Sequence, residues 1–291
     1  MRGLVVVMTT QSTPTTLVLC GNGTTGRRVV DRFMADERPV RVGSRTGTPP
    51  FDWQNRDTWA AAVNGVDALY LVYTPDLAFP GAADDVAAFT KVAVDSGVTR
   101  IVLLSGRGEA QAEVSERTVQ QSGVDWTVLR CSWFSQNFSE SFLLDTVLEG
   151  VIALPAGSVA EPFLDADDIA DCAFAALTDD RHSGHLYELT GPQALTFAEV
   201  AEQLSVATGR PIEYVPITRE EYVQGAIDAG LHPDEANAFA GLFSEVLDGR
   251  NSSTHDGVRQ VLGRPARTFA GFAERASSTG AWTTNELQDA R

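Results

Sequence analysis

Residues 17–30 read LVLCGNGTTGRRVV, an apolar run, a glycine-rich turn and a stretch of helical pattern. Gly21, Gly23 and Gly26 satisfy G-x-G-x-x-G, the spacing at which backbone N–H groups approach a pyrophosphate without an intervening Cβ and a helix N-terminus favours its charge. Gly21, Asn22, Gly23, Thr24, Thr25 and Gly26 are therefore the expected phosphate cradle of a dinucleotide. The second apolar run ends VRVGSRTG. NAD sites place a carboxylate there for the ribose 2′-hydroxyl, whereas a 2′-phosphate needs cationic donors. No acid is present and Ser44 and Arg45 occupy the position, so the expected cofactor is NADPH. Asp52, in the FDW stretch after a third-strand position, is expected to flank the adenine.

Ligands of doubly wound sheets lie outside the carboxyl ends of the strands, so residues just beyond the later apolar runs are the candidates for substrate chemistry. Tyr73 and Thr74 follow Ala68–Val72; Tyr73 is the candidate proton donor and Thr74 a cofactor contact. Ser105, Gly106 and Arg107 follow Ile101–Leu104, with Ser105 placed to hydrogen-bond substrate and cofactor. Trp133, Phe134 and Asn137 follow Thr127–Leu129 and offer aromatic walls and one amide, which suits a flat unsaturated ring. Asp167 and Asp168 look like a paired-carboxylate site, but they open a helix, where acids complement the dipole, and they read as structural. Phe239 and Phe243 belong to an amphipathic stretch closing the cleft.

The elements that must position these residues alternate. Leu17–Leu19, Val40–Val42, Ala68–Val72, Ile101–Leu104 and Thr127–Leu129 are strand-like, with helical stretches at Gly26–Met34, Pro80–Ser96 and Glu113–Ser122. That alternation predicts an α/β fold, a Rossmann-type doubly wound parallel sheet covered on both faces. Gly97 and Gly123 stop two of the helices. Beyond Gly150 the pattern predicts a loop marked by Pro155, Gly157 and Pro162, a helix over Asp165–Leu177, a short strand at Leu186–Leu189, and a helix over Phe197–Thr208 with Thr196 as N-cap. From Pro211 onward the chain reads as mostly helical. The expected division is a dinucleotide-binding domain over 14–155 and a smaller substrate-binding region over 156–291, of which about 163–192 packs back on the sheet. Residues before Pro14 read as a loose tail, with Met8 a candidate start.

Composition narrows the function classes. Thirty-nine acidic residues against 22 basic leave a formal charge of −17, which repels a nucleic-acid backbone or an anionic bilayer. Cys20, Cys131 and Cys172 are an odd number without Cys-x-x-Cys spacing, which suits reduced thiols in the cytoplasm. Four histidines without His-x-x-x-His spacing predict no metal site. The expected partner is a small-molecule substrate, with neither nucleic acid nor membrane; a homodimer stays open.

The segments LVLCGNGTTGRRVV, FDWQNRDTW, GVTRIVLLSG, VDWTVLRCSWFSQNF, FLDADDIADCAF, YELTGPQALTFAEVA and VLGRPARTFAGFA together resemble the NmrA-like atypical short-chain dehydrogenase/reductases. FDWQNRDTW and WTVLRCSWFSQNF look most like the branch with the festuclavine and agroclavine dehydrogenases; bacterial quinone reductases share much of the frame. The resemblance implies a G-x-x-G-x-x-G register in which Gly23 and Gly26 are the second and third glycines and Cys20 stands at the first, with Gly21 beside it to supply backbone freedom.

Typical short-chain dehydrogenases pair Tyr-x-x-x-Lys so that the phenol gives a proton to a nascent alkoxide. Here Lys91 is the single lysine, no tyrosine precedes it by four, and the helix expected to carry the pair reads AEVSERTVQQSG. The resemblance accommodates that loss. Hydride converts an iminium to a neutral amine and a quinone to a resonance-stabilised anion, so a cyclic iminium, an activated alkene or a quinone is the expected acceptor of an NADPH-dependent oxidoreductase. The alternative is an NmrA-like redox sensor that binds NAD(P) without turnover.

Overall fold

The computed structural model describes residues 14–283. The candidate start at Met8 and the tail before Pro14 lie outside the described residues. Ten strands are present: β1 (Thr16–Leu19), β2 (Val40–Gly43), β3 (Ala68–Leu71), β4 (Arg100–Gly106), β5 (Asp125–Cys131), β6 (Val151–Leu154), β7 (Ala160–Glu161), β8 (His185–Leu189), β9 (Leu195–Thr196) and β10 (Glu213–Pro216). The α-helices are α1 (Thr24–Ala35), α2 (Trp59–Val63), α3 (Ala82–Asp95), α4 (Ala112–Gln120), α5 (Asn137–Glu140), α6 (Leu144–Glu149), α7 (Ala166–Thr178), α8 (Phe197–Thr208), α9 (Arg219–Asp228), α10 (Pro233–Val246), α11 (Gly257–Leu262) and α12 (Phe269–Ser278).

Six strands form one parallel sheet in the order β2-β1-β3-β4-β5-β8. The short apolar runs are buried on both faces because adjacent side chains alternate. Leu17 and Leu19 join the core under α3 and α4, while Val18 between them joins the core under α1 and α7. Val29 and Val30, with Phe33 one helical turn further on, anchor α1 to the sheet. The chain runs outward from β1 to β2 and then crosses back to β3, so the strand order reverses at β1 and opens a crevice at their carboxyl ends. Gly97 (φ 97°) and Gly123 (φ 85°) take left-handed backbone where α3 and α4 turn into β4 and β5, as expected.

Among the described residues no strand of the main sheet lies between β2 and β3 in the chain, so the third-strand position before FDW is not filled and the FDW stretch lies outside the sheet. Phe51, Trp53 and Trp59 instead pack edge to face on Phe89, with centroids 5.1 to 5.4 Å from it. Trp53 Nε1 donates to the Val72 carbonyl (3.0 Å) and Trp59 Nε1 to the Asp52 carbonyl (2.9 Å). The aromatic side chains form a plug near the carboxyl end of β3, and the two indole N–H groups satisfy the Val72 carbonyl and the Asp52 carbonyl within the plug.

Beyond β5 a second core forms. Phe138, Ile152, Leu154, Phe197, Leu204, Phe243, Phe269 and Trp282 gather in it, so its first members precede residue 156. β6 pairs in parallel with β10, a small sheet that the mostly helical expectation after Pro211 did not include. α7 and β8 return to the main sheet, where β8 pairs with β5. Thr196 caps α8 with a full capping box: its hydroxyl accepts from the Glu199 N–H, and the Glu199 carboxylate accepts from the Thr196 N–H at 2.8 Å. Among the described residues no helix is long and apolar enough to cross a membrane.

Candidate active site

The turn after β1 has three kinds of residue. Gly21 and Gly26 are buried packing positions: a Cβ on Gly21 would meet Val42 Cγ1 at 2.8 Å, and one on Gly26 would strike the Cys20 carbonyl. Asn22 and Gly23 are exposed, with Thr24 half-buried behind them. Cys20 itself takes φ 50°, so the left-handed freedom expected of Gly21 is supplied by the cysteine. Its Sγ lies 3.7 Å from the Val72 carbonyl, and burial pushes the thiol up to about 11, a packing residue that stays protonated.

Gly23 caps α1, no side chain satisfies the helix N-terminus, and no acid stands in its first turn. Those free N–H groups open on two cavities. The smaller, about 420 Å³, is lined by Asn22, Gly23, Ser44, Arg45, Asp52 and Trp53. The larger, about 550 Å³, runs from Gly23, Thr24 and Thr25 past the carboxyl ends of β3, β4 and β5 to α10. They meet at Cys20, Gly23 and Thr74. The residues present fit a dinucleotide with a 2′-phosphate: an uncapped helix N-terminus at the junction, and at the β2 end an exposed Arg45 with no ion-pair partner among the described residues. Asp52 lines the smaller cavity and accepts from the Gln54 N–H at 3.0 Å, so it also shapes its own turn.

Tyr73, Ser105, Trp133 and Asn137 all line the larger cavity. Their commitments differ. The Tyr73 hydroxyl donates to Asp85 (3.1 Å), which Arg56 also holds; burial and that hydrogen bond push the phenol up to about 12. The Ser105 hydroxyl donates to buried Glu116 (2.6 Å), which Arg130 pairs, so Ser105 presents only lone pairs to a ligand. Trp133 packs against Phe197 (5.7 Å) and Phe243 (5.4 Å), serving at once as hinge packing and as wall. The Asn137 side chain has no hydrogen bond among the described residues and remains available. Phe239 and Phe243 of α10, with Phe142 and Tyr222, complete an aromatic enclosure.

Asp167 and Asp168 are structural: Asp167 pairs with Arg32 (2.7 Å), and fully buried Asp168 with Arg264 (2.7 Å) and Arg267. The cavity instead holds two acids that motif reading passed over, Asp76 and Glu109. Glu109 sits four residues past Ser105, a visible signal; Asp76 lies 33 positions away and carried none. Tyr222 and Phe142 were also missed, because α9 and the turn between α5 and α6 are brought to the site by packing of the second core.

No protein-family model matches the chain. It is 34% identical over 288 residues to an NAD(P)H azoreductase of Xenophilus azovorans, covering 91% of this chain and 99% of that one. It is 32% identical over 286 residues to a festuclavine dehydrogenase of Aspergillus fumigatus, covering 90% and 97%. Among solved structures, NmrA, a negative transcriptional regulator in complex with NADP, superposes with a TM-score of 0.69 at 15% identity over 93% of this chain and 97% of that one, a likeness of fold. The chain belongs to the NmrA-like atypical short-chain dehydrogenase/reductases and is an NAD(P)H-dependent oxidoreductase of that group.

Proposed function

We propose that the protein is an NADPH-dependent reductase of flat, conjugated acceptors: cyclic iminium ions, activated alkenes or quinones. The observation that carries this reading is the junction of the two cavities at Cys20, Gly23 and Thr74, which joins a dinucleotide-shaped cleft to an aromatic enclosure. Bound NADPH supplies hydride. Ser44 and Arg45 select the 2′-phosphate, the N-terminus of α1 holds the pyrophosphate, and Trp133 and Phe243 stack the acceptor while Asn137 orients it through its amide. The relative named NAD(P)H azoreductase extends the acceptor set to the N=N bond. Sensing without turnover is disfavoured, because a binding-only protein has no use for a 550 Å³ apolar chamber beside its cofactor cleft. The acidic surface and free cysteines support a cytoplasmic small-molecule enzyme without a nucleic-acid partner.

The test is NADPH oxidation across a panel of quinones, azo compounds, preformed cyclic iminium ions and simple ketones. The first three classes are expected to turn over and the ketones to lag. Trp133→Ala and Asn137→Ala are each expected to lower kcat by about 10²-fold with NADPH affinity nearly unchanged, the cost of a modest misplacement. Tight NADPH binding with no turnover of any acceptor would overturn the reading.

A further inference from the structure

Hydride addition to a quinone or an azo bond leaves an anion that needs a proton, and neither Tyr73 nor Ser105 has one free. Asp76 lies in the loop after β3, where its Oδ1 accepts from the Ala78 N–H at 2.7 Å. Glu109 lies in the loop after β4, and Gly106 makes room for its carboxyl group, which occupies the space a Cβ there would fill. The two side chains meet across the crevice between β3 and β4, on the wall of the larger cavity. Glu109 is 9% exposed, and no donor reaches its buried Oε2 among the described residues. Nor, among the described residues, does any cation pair with either carboxyl group. Two carboxyl groups meet in such a place only when a proton lies between them.

The loop is held rigidly. Arg107 donates to the carbonyls of Asn251 (2.7 Å) and Ser253 (2.8 Å), and Asn251 Nδ2 returns a hydrogen bond to the Arg107 carbonyl (3.1 Å). The neighbouring Arg107 is thereby turned towards Glu188 (3.3 Å). The titratable groups that face Glu109 are Asp76, Glu245 from α10, Glu116 from α4 and the Cys131 thiol from β5. The carboxylates among them disfavour ionisation. Burial and Asp76 push Glu109 up to about 9.

Resting on the reductase reading, we propose that the Asp76–Glu109 carboxyl pair is the proton donor of the reaction, with Glu109 the catalytic acid and Asp76 its positioning partner. Hydride from NADPH is delivered to one terminus of the acceptor's conjugated system, a quinone oxygen or one azo nitrogen, and the π electrons shift to the other terminus. The Glu109 proton goes to that second terminus, the other quinone oxygen or the other azo nitrogen, giving hydroquinone from quinone, or hydrazine from an azo compound. NADP⁺ is the oxidised product, and solvent returns a proton to the carboxylate. The proton goes to an anion that the conjugated acceptor itself stabilises, so the expectation that simple ketones lag is unchanged.

Infrared spectroscopy of the apo-protein reads the proton directly. At neutral pH the unaltered protein is expected to show a protonated-carboxyl C=O band that disappears on alkaline titration and is absent from Glu109→Gln. Glutamine keeps the size and a hydrogen bond to Asp76, and an unchanged unfolding midpoint confirms the fold. With a quinone, Glu109→Gln is expected to lower kcat by about 10²-fold with little change in KM, the usual worth of a general acid. Asp76→Asn is expected to move the alkaline fall in kcat to lower pH, because the neighbouring negative charge is gone. A band unchanged in Glu109→Gln, or quinone turnover within about threefold of the unaltered protein, overturns the proposal while leaving the reductase reading intact. An unaltered protein that reduces no acceptor overturns both.

Discussion

Two acidic clusters in this protein are neutralised in opposite ways. At the start of α7, Asp165, Asp167, Asp168 and Asp171 are matched by Arg275, Arg32, Arg264 and Arg267, guanidiniums carried by α1 and α12 and by the loop after α11. This cluster clasps α7 to its neighbours and leaves no carboxylate idle. At the carboxyl ends of β3 and β4, Asp76 and Glu109 have no arginine partner among the described residues and sit in a cavity. The first cluster is bound by charge and serves the fold. The second is bound by a shared proton, which can be given away.

The largest expected effect falls on the first cluster. Asp168→Ala leaves Arg264, Arg267 and the Arg267 N–H (2.6 Å) without their buried acceptor. The expected loss is about 3 kcal/mol in denaturant unfolding, towards the low end for a broken buried pair because both arginines keep solvent contact and Asp171. Glu109→Gln is expected to cost no stability in the same assay, since no cation is orphaned and the amide needs no proton to sit beside Asp76. Comparable losses would erase the distinction.

Stability against pH separates the clusters by sign. Asp167 is held below the ordinary carboxylate range: burial opposes this, and the Arg32 hydrogen bond with the charges of Arg28 and Arg32 outweighs it. Its contribution is present above the unfolded carboxylate range and is lost as pH falls through the depressed folded value. Glu109 is raised, so its contribution is present below about 4.5 and is lost as pH rises towards about 9. Glu109→Gln is therefore expected to flatten the alkaline slope of the stability curve and leave the acid limb untouched, a result read from unfolding midpoints across the pH range.

Arg45 sharpens the contrast among the arginines, being exposed and unclaimed at the end of β2. Arg45→Ala is expected to narrow the preference for NADPH over NADH by about 1–3 kcal/mol in calorimetric titration. Equal affinities in the unaltered protein would remove the argument for the 2′-phosphate. The smallest effect is expected at Cys20: relief of left-handed backbone, about 1–2 kcal/mol, nearly cancels the entropy that glycine adds to the unfolded chain. Cys20→Gly should therefore be stable to within about 1 kcal/mol, and a large loss in thermal unfolding would show that the thiol packs more than it strains.

Much of the fold was legible because its signals are local. The LVL, ALYL and IVLL runs, the glycines ending α3 and α4, and the Thr196–Glu199 box each act within a few residues. The turn at Asn22–Thr25 between β1 and α1 was legible for the same reason. What stayed hidden depends on distant partners. VIAL at 151–154 and EYVP at 213–216 are each too short to read as strands until they pair. The ADDIAD stretch drew attention as a carboxylate pair, yet its arginines lie up to 139 positions away. Asp76 and Glu109 drew none, although the topology brings β3 and β4 side by side.

The most direct test is a single turnover followed by stopped flow, mixing the NADPH-loaded protein with a quinone and monitoring the dihydronicotinamide absorbance. Hydride transfer in this cleft predicts a rapid decay, slowed severalfold by deuterium at the transferring C4 position and absent from Gly23→Val, whose added side chain would crowd the pyrophosphate cradle. An absorbance that persists with quinone, azo and iminium acceptors alike, while calorimetry shows NADPH bound, would contradict it.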